Sequence, residues 1–124
     1  EYRDGPIAAA AVESLLQLWA NSREQHPYLF YMGTDFRKLK APCCWYDLVS
    51  VADVLSKYPA VHGDSRFCEM LALIQGKRTE SGYFIPESAY QKYADWDFGQ
   101  KKAPSPYLTF LCLRILDRVK TAGS

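Results

Sequence analysis

Residues 103–117, APSPYLTFLCLRILD, lie over residues 41–55, APCCWYDLVSVADVL, without a gap. Ala41-Pro42 falls on Ala103-Pro104, Trp45 on Tyr107 and Asp47 on Thr109. Val49, Val51 and Val54 fall on Leu111, Leu113 and Leu116. A second match lies upstream of each copy: residues 12–18, VESLLQL, fall on residues 68–74, CEMLALI, at an offset of 56 against 62 for the first pair. The order is one-sided helix, aromatic loop, buried helix, and then the same again. Each unit has an apolar face that it cannot cover alone, so neighbouring units must stack. This predicts an all-α chain of two αα-hairpin repeats, about residues 6–60 and 63–120, in a single domain over 1–124.

The first helix is predicted from Pro6 to Ser22. Proline suits the first helical turn, where its missing N–H costs no bond. Val12, Leu15, Leu16 and Trp19 recur at i, i+3, i+4 and i+7 and make one apolar face. The second helix is predicted from Pro42 to Tyr58, with Pro59 closing it. It is apolar round more than half its circumference, as expected of a helix covered on at least two sides. The third starts with Asp64 or Ser65 as N-cap, repeats the pattern in Phe67, Met70, Leu71 and Ile74, and ends at Gly76 or Gly82. Residues 86–93, PESAYQKY, predict a short helix with Pro86 in its first turn. The last helix is predicted from Pro106 to Lys120 with Ser105 as N-cap. From Tyr107 to Leu113 it is apolar nearly all round, so it is expected at the centre of the domain. Residues 28–40, YLFYMGTDFRKLK, read as an extended loop across helix ends.

With 124 residues the chain is long enough for one core and too short for two. Its composition, 48% hydrophobic and 23% charged, is that of a folded chain rather than a disordered one. A net charge of +1 argues against long-range attraction to nucleic acid. No apolar run approaches the ~20 residues needed to span a bilayer. No signal-peptide pattern opens the chain. It begins on Glu1 rather than Met, so it is expected to be a piece of something longer, and cytoplasmic. Cys43, Cys44, Cys68 and Cys112 form no Cys-x-x-Cys pair and are expected to be reduced core thiols. His26 and His62 lie in loops far apart and are expected to face solvent. The ligand set for zinc is thin, and neither a metal nor a cofactor is expected.

Outer helices that end in a Gly-aromatic turn, as in Ser81-Gly82-Tyr83-Phe84, and inner helices that open P-S-x-Y-x-T, as in residues 104–109, resemble the α/α-toroid of terpenoid cyclases and protein prenyltransferase β-subunits. HPYLFYMG, KLKAPCCWYDLVSVADVLSKYP, GYFIPES and WDFGQKKAPSPYLTFLCLRIL are similar to a group of uncharacterised bacterial proteins with prenyltransferase/squalene-cyclase-type repeats. The resemblance spans most of residues 8–119. It implies αα-hairpins whose inner helices line an apolar cavity, in an incomplete toroid, since a closed ring takes several more hairpins than two. It carries no catalytic residue across. Asp95-Trp96-Asp97 is followed by Phe98, which leaves the cyclase Asp-x-Asp-Asp motif incomplete, and the zinc-binding Asp, Cys and His of prenyltransferases have no counterpart that can be placed.

Candidate binding residues fall in two groups. Asp95 and Asp97, one residue apart, could hold Mg²⁺ for a diphosphate, with Lys101 and Lys102 neutralising phosphate near a helix N-terminus. Alternatively Trp96 and Phe98 anchor the loop while Asp97 accepts backbone N–H bonds. Trp45, Tyr46 and Asp47 open one inner helix and Tyr107 and Thr109 the other. In a toroid they would lie at the cavity rim, and otherwise they are core and capping residues. The nine tyrosines, Tyr28, Tyr31, Tyr83, Tyr90 and Tyr93 among them, could bind carbohydrate, nucleobase or an apolar partner; otherwise they suit loops that bury a ring and keep a hydroxyl wet.

Two functions remain open. One is a non-enzymatic helical-repeat module that binds a partner or self-associates through its inner-helix face, the cover being a second copy or the remainder of a longer parent chain. The other is an enzyme fragment of prenyltransferase or cyclase type, binding an isoprenoid or other lipid in an apolar cavity.

Overall fold

Pro6 opens helix α1 (Pro6–Ala20), as its place in the sequence requires, and Asn21 closes it by donating its N–H to Gln17 O. The coordinates are those of a computed structural model, and they describe residues 5–21, 37–41, 48–89, 95 and 100–122. After α1 come a two-residue strand β1 (Lys40–Ala41), helix α2 (Leu48–Leu55), a 3-10 turn (Pro59–Val61) and helix α3 (Ser65–Gly76). A second two-residue strand, β2 (Ser88–Ala89), and helix α4 (Pro106–Ala122) complete the order. The described residues are thus helical except for connections and one short parallel pair, in which Lys40 faces Ser88 and Ala41 faces Ala89.

Helix α2 lies at the centre and packs against α1, α3 and α4, while α1 also packs on α3. Leu48, Val49, Val51, Ala52 and Leu55 are all buried, which accounts for its broad apolar surface. The predicted central helix, α4, is instead covered on one side only. Leu108, Leu111, Cys112 and Ile115 face the core, but Tyr107 is 51% and Phe110 55% exposed. Helix α2 also ends before the predicted Tyr58. Lys57 and Tyr58 donate to Val54 O and Leu55 O, tightening the chain into i+3 turns ahead of Pro59.

The buried positions of the helices match at a register that differs from the ungapped sequence match. Leu48, Val49, Val51, Ala52 and Leu55 on α2 correspond in burial to Leu108, Thr109, Leu111, Cys112 and Ile115 on α4, a uniform offset of 60. On the outer helices Val12, Leu15, Leu16 and Trp19 correspond to Phe67, Met70, Leu71 and Ile74, an offset of 55, and all eight are buried or packed against the core. Identity of residue type had favoured 62 and 56. Burial follows the face each helix turns inward, so it is the better guide to equivalent positions.

Two caps stand where the sequence placed them. Asp64 accepts the backbone N–H of Arg66 at the start of α3, at 2.9 Å. Ser105, 2% exposed, accepts the N–H of Leu108 at 3.2 Å. Ser105→Ala is expected to lower stability by about 1 kcal/mol in urea titration, with glycine at the same site costing less.

Arg66 joins α1 to α3. Its two terminal nitrogens donate to the Glu13 carboxylate at 2.7 and 2.9 Å, and its Nε and Nη2 donate to Asp64 at 3.1 and 3.0 Å. Hydrogen bonds from the Arg66 side chain hold both Glu13 and Asp64 below their ordinary carboxylate values. The unfolded chain therefore takes up these protons at higher pH than the folded one. The stabilisation is complete above the ordinary carboxylate range, about pH 4, and is lost as pH falls through the lowered values. Melting temperature measured against pH should show this acid limb, and Arg66→Gln should flatten it.

Residues 86–89 are not the helical turn expected from Pro86. Leu39 takes this segment into extended pairing: the Glu87 N–H donates to Leu39 O at 2.6 Å, and the Leu39 N–H donates to Glu87 Oε1 at 2.9 Å. Lys77 Nζ holds the same carboxylate at 2.5 Å. Two further expectations are corrected. Cys68 is exposed on α3 rather than in the core, whereas Cys112 is buried. His62 is half-buried, its Nε2 2.8 Å from Ser56 O and its ring stacked on Phe67. His26, Cys43 and Cys44 lie outside the described residues.

Candidate functional site

Gly82 has φ +90°, a backbone that side-chain-bearing residues rarely adopt, and it lets the chain reverse after α3. Thr79 holds the reversal: its N–H donates to Tyr83 O at 2.9 Å, and its Oγ1 accepts the Tyr83 N–H at 3.1 Å. The turn splits the aromatic pair that follows. Phe84 is fully buried, and Tyr83 is 52% exposed.

Helix α4 starts beside this turn. The Ser105 N–H donates to Phe84 O at 2.9 Å, and Thr109 Oγ1 accepts the Phe84 N–H at the same distance. These bonds set the first turn of α4 against Tyr83. The result is an apolar groove of about 600 Å³ lined by Tyr83, Pro104, Pro106, Thr109, Phe110 and Leu113. It continues past Phe110 and Leu113 into a second depression, whose edge carries Arg78, Arg114 and Lys120 with Asp117 among them. The Arg114 guanidinium sits 5.2 Å from the centroid of the Phe110 ring.

Helical geometry places this groove on a definite side. Arg118 reaches α2, donating to Asp53 Oδ1 at 2.7 Å, and Leu111 is seven residues before it, on the same side of α4. Leu113 is two residues on from Leu111, about 200° round the helix. The Leu113 wall of the groove therefore lies on the side of α4 turned away from α2, and Phe110, one turn before Arg114, forms its edge nearer α2.

Of the sequence-predicted site residues, Trp45, Tyr46, Asp47, Trp96 and Asp97 lie outside the described residues. Tyr107 is on α4, half exposed. Thr109 is buried, and its oxygen is committed to the Phe84 N–H rather than offered to a ligand. Lys101 and Lys102 are exposed, as is Asp95. The backbone N–H groups of Lys102 and Ala103 donate to Gln100 Oε1 at 2.6 and 2.9 Å, and that of Leu108 to Ser105, so these three backbone donors are already bonded. Tyr83 entered only as one of the nine tyrosines, and Phe110 and Leu113 are not among the sequence candidates. Their signal was the surplus of apolar residues around α4, which had been read as burial.

Among the described residues no three His, Cys, Asp or Glu side chains cluster as metal ligands, and no helix is long and apolar enough to cross a membrane. No protein-family model, curated protein or solved structure matches this chain.

Proposed function

We propose that the chain is a helical-repeat interaction module, built of two hairpins of the α/α-toroid type, that docks another helical hairpin on the outer flank of α4. The observation that carries this is the exposure of Tyr83 and Phe110, each more than half exposed, in the lining of one apolar groove. Large aromatics grouped in this way are enriched at protein interfaces, where a ring buries much area with little loss of side-chain freedom. The wider prenyltransferase/cyclase-like resemblance supports the same geometry, since hairpins of that type are covered by the next hairpin in the ring.

A photo-cross-linking residue at position 110, with position 101 as control, tests this in cells producing the chain. The expected product at 110 is an adduct of added polypeptide mass whose labelled peptide belongs to a helix. No adduct beyond the control defeats the proposal. So does an adduct of lipid mass, or one abolished by added prenyl diphosphate, either of which assigns the groove to an isoprenoid instead.

A further inference from the structure

The joint between α2 and α4 is polar. Helix α2 offers Asp53, the residue after its end offers Ser56, and α4 offers Arg114 and Arg118. Arg118 Nη1 donates to Asp53 Oδ1 at 2.7 Å, to Asp53 O at 3.2 Å and to Ser56 Oγ at 3.1 Å, and Arg114 Nη2 donates to Asp53 Oδ1 at 3.1 Å. The 60-residue register carries each member of this joint to a position the rest of the chain does not fully cover: Val54 is exposed, and Tyr58, Leu113 and Leu116 are partly buried against the core. Asp53 and Ser56 become Leu113 and Leu116 on the outer flank of α4. Arg114 becomes Val54 on α2, 41% exposed, and Arg118 becomes Tyr58, half-buried just past the end of α2. Every polar member of the internal joint thus has an apolar counterpart at such a position, and the two sets are complementary in the same sense.

We infer that a second copy of this chain docks head to tail, the Val54 side of its α2 against the Leu113 side of α4, repeating the internal joint with apolar in place of charged contacts. This rests on the assignment of the α4 flank as a docking face and adds the identity of the occupant. The chemical difference between the two joints fits their tasks. Within the chain the helices are covalently tethered, so polar pairing is enough to set their register. Between copies the loss of translational freedom must be offset, which apolar burial does and exposed ion pairs do poorly. The contact joins two different surfaces, so it closes into a ring or continues as a filament. The basic edge beside Leu113 makes a like-for-like contact of two α4 flanks less favourable.

Light scattering coupled to size exclusion, from micromolar to millimolar chain, is the test. The parent should pass from the 14.2 kDa monomer to at least twice that mass as concentration rises, and keep it in high salt. Leu113→Asp alone and Val54→Arg alone should each run as monomers. An equimolar mixture of the two should rise above the monomer mass, because it sets a pair like Asp53–Arg114 at the new contact beside Leu116 and Tyr58, whose apolar contacts both variants keep. A parent that stays monomeric at every concentration overturns self-docking whatever the variants do. Recovery of mass in Leu113→Asp alone overturns the head-to-tail geometry, as does a folded mixture that stays monomeric. Circular dichroism establishes folding, and the charge-reversed pair Leu113→Arg with Val54→Asp repeats the test if either variant melts early. A polypeptide adduct at position 110 with a monomeric parent would leave the docking face standing and remove only the second copy.

Discussion

Trp19→Ala is expected to lower stability by about 3–5 kcal/mol in chemical denaturation, the largest loss at any single position discussed. Trp19 is 1% exposed and belongs to the main core cluster. It also carries two specific contacts at the junction of α1 and α3. Its Nε1–H donates to Glu69 Oε2 at 3.1 Å, and the Arg37 guanidinium lies 4.1 Å from its ring centroid. Alanine removes the ring, both contacts and the volume. Trp19→Phe separates these effects: it keeps much of the packing and loses the N–H donor, so most of the loss should be restored. A loss below about 1 kcal/mol for the alanine variant would mean that the site collapses around the missing ring, contrary to the close packing described.

Thr109→Val should cost about 1–3 kcal/mol although it changes the side chain's shape very little. The methyl that replaces the hydroxyl cannot accept a hydrogen bond. The buried Phe84 N–H is then left without the acceptor it has at 2.9 Å. Thr109→Ser keeps the oxygen and should lie nearer the parent. Amide exchange at Phe84 discriminates the cause: it should speed up in the valine variant and not in the serine one. Unchanged exchange in the valine variant would assign the loss to packing alone. The groove beside Tyr83 depends on the same bond, so the variant should also weaken docking.

Local signals were the most legible part of the chain. Pro6, Pro106, Asp64 and Ser105 each act within one turn of their own position, and each stands where the sequence put it. The apolar faces of α1 and α3 were equally plain, because their spacing needs only helical geometry. What failed depends on distant partners. Pro86 suits a helix start, but Leu39, 48 residues upstream of Glu87, draws the segment into extended pairing. Residue type and burial match α2 to α4 at offsets two residues apart, because residue type is a local property whereas burial is decided by neighbours. The apolar circumference of α4 was read as complete cover, yet the sequence cannot say whether the covering surface belongs to the same chain. Thr109 reads from the sequence as a cavity-rim residue or as a core and capping one. Its partner is a backbone N–H in the preceding turn, a pairing visible only in three dimensions.

The short parallel pair of β1 and β2 has a consequence for the time course of folding. Lys40 and Ser88 meet across the whole segment that carries α2 and α3. Contacts this distant in sequence reward the chain late, after the entropy of closing the loop has been met. The pair should therefore form among the last events of folding. In pulse-labelled refolding the amide of Glu87, bonded to Leu39 O, should gain protection after those of α2 and α3, which makes it an internal clock for completion of the domain.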